Sequence, residues 1–146
     1  MSLRNWQEQD WLSRHQSGRE EIRELLALAD RDLAQSWTPG LSPDWQLGIA
    51  YNAALQCATA ALAASGYRVR RAPGHHYRTI QSLTLTLGWD VAEVDALDGF
   101  RRKRNVAEYE RCGSVSSAEA LQMRELAAKL RRDVQAWLEA QHPALM

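Results

Sequence analysis

The side chains best suited to chemistry lie in the run Arg101-Arg102-Lys103-Arg104-Asn105-Val106-Ala107-Glu108-Tyr109 and in the adjacent pair His75-His76, with Arg78 close behind. A guanidinium presents a planar fork of N–H donors that matches a phosphate or a carboxylate with two parallel hydrogen bonds. Histidine is the side chain that changes charge near neutrality. His75 and His76 follow Pro73-Gly74 and open a helix, where free N–H groups attract an anion. Asn52, beside Tyr51, sits in an Ala- and Leu-rich stretch. A polar side chain in such a stretch either bonds another buried polar group or faces solvent; Tyr109 and Asn105 are the partners it would suit.

Other chemistries lack their residues. Neighbouring histidines on a helix point apart and no third ligand accompanies them, so no metal site is expected. There is no Gly-rich phosphate loop, no Ser/His/Asp set and no nucleotide-binding motif, so no cofactor is expected either. Cys57 and Cys112 stand alone; Cys57, in an apolar run, reads as a core thiol.

The elements that must position these groups are helices. Ile22, Leu25, Leu26, Ala29 and Leu33 recur at spacings of three and four, which predicts one buried helix face over about 19–36. Ser42-Pro43-Asp44 opens the next helix: the serine caps, proline suits the first position, and aspartate complements the dipole. It runs to Ser65, with Gly66 as stop, and its Ala-rich stretch 53–64 suits a central place in a bundle. Residues 67–74 read as a loop. A helix from His75 to Leu87 follows, although Leu83-Thr84-Leu85-Thr86-Leu87 also suits a strand. A further helix runs from Asp90 to about Arg111, its apolar stripe of Val91, Val94 and Leu97 continuing into Arg101, Arg104, Asn105 and Glu108. Ser116 and Glu119 form a capping box for the last helix, which reaches about Gln141 with Met123, Ala127, Leu130, Val134 and Trp137 as its stripe.

Short loops between long helices predict an all-α, up-and-down antiparallel bundle of four to five helices over 19–142. Residues 1–18 read as an N-terminal extension with a short helix over Asn5–His15. Trp45, Trp89 and Trp137 are expected in the core or lining a groove, and Trp6 and Trp11 covering the bundle.

Charge is balanced, with 18 basic and 18 acidic side chains, but unevenly spread. Residues 1–67 carry 5 basic and 8 acidic groups, 68–111 carry 9 and 6, and 112–146 carry 4 and 4. The excess of positive charge therefore coincides with the His pair and the Arg run, while the whole chain has no bulk attraction for nucleic acid. The first residues lack an apolar signal core, and no run approaches the roughly 18 apolar residues of a membrane span. A cytoplasmic protein with no membrane partner is expected.

Arg101 to Tyr109 resembles the signature helix of HEPN domains, in the branch with Arg-Asn followed by an acidic-Tyr pair. Ser42-Pro43-Asp44-Trp45, Tyr51-Asn52-Ala53-Ala54, Gly74-His75-His76-Tyr77 and Val115-Ser116 are similar, in order and spacing, to further blocks of a bacterial branch of that superfamily, so that the likeness covers roughly 20–140. The resemblance implies a helical homodimer whose motif helices meet near the dimer axis. It also implies metal-independent cleavage or binding of RNA, and a nucleotidyltransferase-type antitoxin as partner within a toxin–antitoxin or defence system. Arg104 matches the motif arginine and Asn105 its polar neighbour. The motif histidine belongs at 109, 110 or 111, where this chain has Tyr109, Glu110 and Arg111.

Two readings follow. In the first, the chain binds RNA, a nucleotide or a protein through Arg104, Asn105 and Tyr109, with Arg101, Arg78, Asn52 and Glu108 around them; a purely dimerising role for another protein shades into it. In the second, it is a ribonuclease with a non-standard base. Tyr109, with an ordinary pKa near 10, is a poor base at neutral pH, so His75 and His76 are the candidates for base and acid. The missing motif histidine puts binding ahead.

Overall fold

The computed structural model describes residues 1–109 and 111–146, without the side chains of Glu108 and Tyr109. Among the described residues the regular structure is helical, apart from one small sheet. In order the elements are α1 (Leu3–Glu8), β1 (Leu12–Arg14), α2 (Arg19–Gln35), α3 (Pro43–Ala64), β2 (Tyr67–Val69), α4 (His75–Gln81), α5 (Leu83–Thr86), α6 (Val91–Tyr109) and α7 (Ser117–Gln141). A short 3₁₀ turn, Pro143–Leu145, closes the chain.

α2, α3, α6 and α7 form the bundle, and side-chain contacts fix their directions. Ser17 Oγ, just before α2, donates to the Ala63 carbonyl near the end of α3, so these two run antiparallel. Arg104 of α6 faces Tyr51 in the first half of α3, and Lys103 pairs with Glu119 at 3.4 Å, so α6 runs against both α3 and α7. Asp44 accepts from the N–H groups of Gly113 and Val115 at 2.7 and 3.3 Å, which binds the start of α3 to the turn before α7. α3 and α7 therefore lie parallel. In an up-and-down bundle such helices sit on a diagonal, yet here they pack directly on one another. The sequence explains the closeness. α3 buries Ala50, Ala53, Ala54, Ala58, Ala60, Ala61 and Ala63 on several faces, and small side chains let neighbouring backbones approach.

α3 is also long and apolar enough, by length and composition, to cross a membrane, which corrects the expectation that no run approaches that length; 72% of its most apolar window is buried inside the protein. The caps match the residues that imply them. Ser42 Oγ accepts from the Trp45 N–H, and Ser116 and Glu119 satisfy each other's backbone donors. Gly66, at φ 94°, turns the chain out of α3.

The N-terminal segment departs from the sequence reading. Its helix ends at Glu8, and Asp10 adopts a left-handed φ of 62°, an orientation that Asp tolerates better than most residues. The chain then extends, and Leu12, Ser13 and Arg14 pair antiparallel with Val69, Arg68 and Tyr67. Residues 67–69, read as loop, are thus a strand. Trp6, Leu12, Leu62 and Tyr67 close a small second core over the end of α3. The 75–87 helix is divided at Ser82, whose hydroxyl bonds the Thr79 carbonyl. Two side chains read as inward face out: Val91 and Trp45 are each 63% exposed. Trp89 is buried, its indole N–H donating to Asp133 at 2.9 Å, and Leu138 rather than Trp137 completes the α7 stripe.

Candidate functional site

The buried stripe of α6 passes from Val94 and Leu97 to Asp98, then Arg101 and Arg104. Helical spacing makes this inevitable, since residues three and four apart share a face. Asp98 is nearly buried and must be paired. Arg101 Nε lies 2.7 Å from one of its oxygens, and Arg102 is 3.8 Å from the other. Arg101 also faces the Tyr77 ring at 5.7 Å, which carries the site onto α4. The Arg104 guanidinium is 5.4 Å from the centre of the Tyr51 ring.

Tyr51 is fully buried, and its hydroxyl finds no hydrogen-bond partner among the described residues. Burial pushes its pKa up to about 12, against the opposing pull of Arg104 and Arg101. It therefore stays protonated at neutral pH, a hydroxyl with a proton to donate. The His76 ring lies 6.4 Å from the Tyr51 ring, and the His75 ring meets His76 edge-on at 4.2 Å. Desolvation, followed by the charges of His75, Arg104 and Arg101, holds the His76 pKa below its ordinary value. Its imidazole is neutral at pH 7. His75 Nδ1 lies 3.1 Å from the Ala72 carbonyl, which can only accept, so Nδ1 carries a proton in that bond. The backbone N–H of His75 bonds the same carbonyl, so it does not serve an anion.

The structure thus brings His76, Tyr51 and Arg104 to one ring, with Arg101 beside them. Asn105 is half-buried on the same helix. The side chains of Tyr109 and Glu108 lie outside the described residues. Two expected members stand elsewhere. Arg78 stacks on Trp11, its guanidinium 3.4 Å from the ring centre, and so faces the N-terminal segment. Asn52 is exposed, the second of the two positions open to it, and Tyr51 faces inward. The sequence reading missed Tyr51 and Asp98. Asp98 stands three residues before Arg101, the spacing of a helical ion pair. Tyr51 stood only as the bulky residue among alanines and as part of the Tyr51-Asn52-Ala53-Ala54 block. Among the described residues no three His, Cys, Asp or Glu side chains gather as a metal site. Cys57 is buried and its thiol pKa is pushed up to about 12, which leaves it inert.

Chemically, the cluster can hold a phosphate. It offers the Arg104 guanidinium and the neutral His76 imidazole over the buried Tyr51, with Arg101 beside them and paired to Asp98. No family model matches the chain, and no curated protein matches it.

Proposed function

We propose that this chain is a HEPN-like protein that binds single-stranded RNA, with a backbone phosphate held by Arg104 and Arg101 beside Tyr51 and His76. The observation that carries the reading is the convergence of Arg104 and His76 on the buried Tyr51 ring. A guanidinium held beside a neutral imidazole that can take up a proton forms an environment that favours an anion. The resemblance of Arg101–Tyr109 to the HEPN signature helix supports RNA as that anion, and supports a homodimer and a nucleotidyltransferase-type partner.

The test is fluorescence anisotropy of a labelled single-stranded RNA over a range of salt. Affinity should fall on a log–log plot with a slope of roughly −0.7 per phosphate neutralised. Arg104→Ala should weaken binding by at least about tenfold and lower the slope by about 0.7, while Arg132→Ala, on an exposed part of α7, should change neither. Binding of wild type without salt dependence, or unaltered by Arg104→Ala, removes the reading.

One observation favours a ribonuclease as a second reading. A neutral His76 beside two guanidinium groups is the state a general base needs. It would take the 2′-OH proton while O2′ attacks phosphorus and the 5′-oxygen leaves with a proton supplied by His75. His76→Ala would then stop cleavage and spare binding. If the wild-type protein leaves the RNA intact, this reading falls and the first stands.

A further inference from the structure

A groove of about 990 Å³ runs beside the His75–His76 pair, away from the Arg104–Tyr51 cluster. α3 forms its floor from Leu55 to Ala63, about 12 Å of helix at 1.5 Å per residue. Leu25 of α2 and the segment from Arg68 to Gly74 form its sides. Leu25, Leu55 and Leu62 give the groove apolar surface, shared with Tyr67 and Thr59. At one end His15 Nε2 sits 2.9 and 2.7 Å from the two oxygens of Glu21. At the mouth stand Arg68 and Arg71, and among the described residues neither meets a carboxylate; Arg68 makes one long hydrogen bond, 3.4 Å, to Ser13. The sequence reading placed Arg68 and Arg71 only within a basic middle segment.

We propose that this groove takes the base of one nucleotide of a single-stranded RNA, with the adjoining phosphate held by Arg68 and Arg71. The inference rests on the RNA-binding reading and names a second contact of that ligand. A nucleobase has two apolar faces and a polar edge, and it is joined to an anion. The groove repeats that order: leucines for the faces, the His15–Glu21 pair for the edge, arginines for the phosphate. An apolar peptide segment would satisfy the leucines and leave both arginines and the His–Glu pair without a use. Continuity adds a second argument. His76 lines the groove and also faces Tyr51, over which Arg104 lies. A strand crossing His76 places one phosphate by Arg104 and the next base in the groove. The faces of every base suit such a groove, while the edge contact at His15 and Glu21 would discriminate among bases.

The test compares a short single-stranded RNA with an abasic RNA of the same length, both titrated into the full chain. The intact RNA should bind at least about tenfold more tightly. Arg71→Ala, at an exposed position, should weaken the intact RNA about fivefold. Thr59→Trp, which fills the groove, should erase the difference between the two RNAs, with circular dichroism checking that the helices persist. Equal affinity for intact and abasic RNA in the wild-type protein overturns the groove and leaves the Arg104 site standing. Loss of affinity for both RNAs overturns both readings. An acidic amphipathic peptide that binds and is lost with Arg71→Ala, while the two RNAs bind alike, assigns the groove to a protein ligand and overturns the proposal.

Discussion

Arg78 and Trp11 are stacked, the guanidinium 3.4 Å from the centre of the indole ring, and this contact ties α4 to the N-terminal segment. Trp6 meets Trp11 edge-on at 5.6 Å and closes the other side. α4 has seven residues and no side-chain cap at Gly74, so little in its own sequence holds it. The helix that carries His75 and His76 is therefore braced from outside. Trp11→Ala should cost about 2 kcal/mol in urea unfolding, from lost packing and cation–π attraction together. It should also speed hydrogen exchange over His75–Gln81 more than over α7. Equal exchange in the two segments would show that the brace is not needed.

Tyr51→Phe tests the unpartnered hydroxyl. A buried polar group without a hydrogen bond costs about 1–3 kcal/mol, so its removal should raise stability by about 1 kcal/mol. RNA affinity should be unchanged in the same variant, because the buried hydroxyl is out of reach of a ligand. A gain in stability with unchanged binding assigns the hydroxyl to the core; a loss of stability would mean that the hydroxyl is satisfied in solution.

Arg101 and Asp98 should behave as a structural pair. Arg101→Ala leaves a nearly buried carboxylate with only Arg102, 3.8 Å away. The expected cost is about 2 kcal/mol, measured as a shift of the urea midpoint. Asp98→Asn in the same background should recover part of it, and a double-mutant cycle reads the coupling.

The pH dependence follows from His76. Its pKa in the folded protein lies below the ordinary 6.5, so on acidification the unfolded chain takes up the proton first. The His76 contribution is fully present above about pH 6.5 and is lost as pH falls from there through the folded value. His76→Gln should flatten that part of the stability profile. A bound phosphate has the opposite effect and draws a proton onto the ring, so wild-type RNA affinity should rise as pH falls from 7 to 6, and the rise should shrink in His76→Gln.

A symmetric homodimer is expected, measured by light scattering at tens of micromolar protein. Trp37 and Trp45 are both largely exposed, near the end of the bundle where α3 begins. A second copy would cover apolar surface of this kind. A monomer at those concentrations would count against the dimer.

The helices were legible because their ends are written locally. Ser42-Pro43, Gly66, and Ser116 with Glu119 act on backbone groups within a few residues, and amphipathic spacing does the rest. The small sheet was not legible. Three-residue strands are too short to show alternation, and Trp6 and Trp11 looked like one helix face until the turn at Asp10 separated them. The candidate site was half legible. Arg101 and Arg104 follow from the stripe on α6, and His76 was singled out by type. Which of Tyr51 and Asn52 points inward depends on how α3 is rotated among three neighbours, and no local pattern reports it when most of its faces carry alanine.

The same alanines bear on how the chain is made. α3 emerges from the ribosome before either α6 or α7, the two later helices that cover it, and until they arrive it presents a segment apolar enough to enter a lipid bilayer. α2 and the N-terminal segment, whose Trp6 and Leu12 pack on Leu62, are the elements at hand to shield it. A pause in synthesis before α7 leaves the rest of that face uncovered, the state in which partly made chains aggregate.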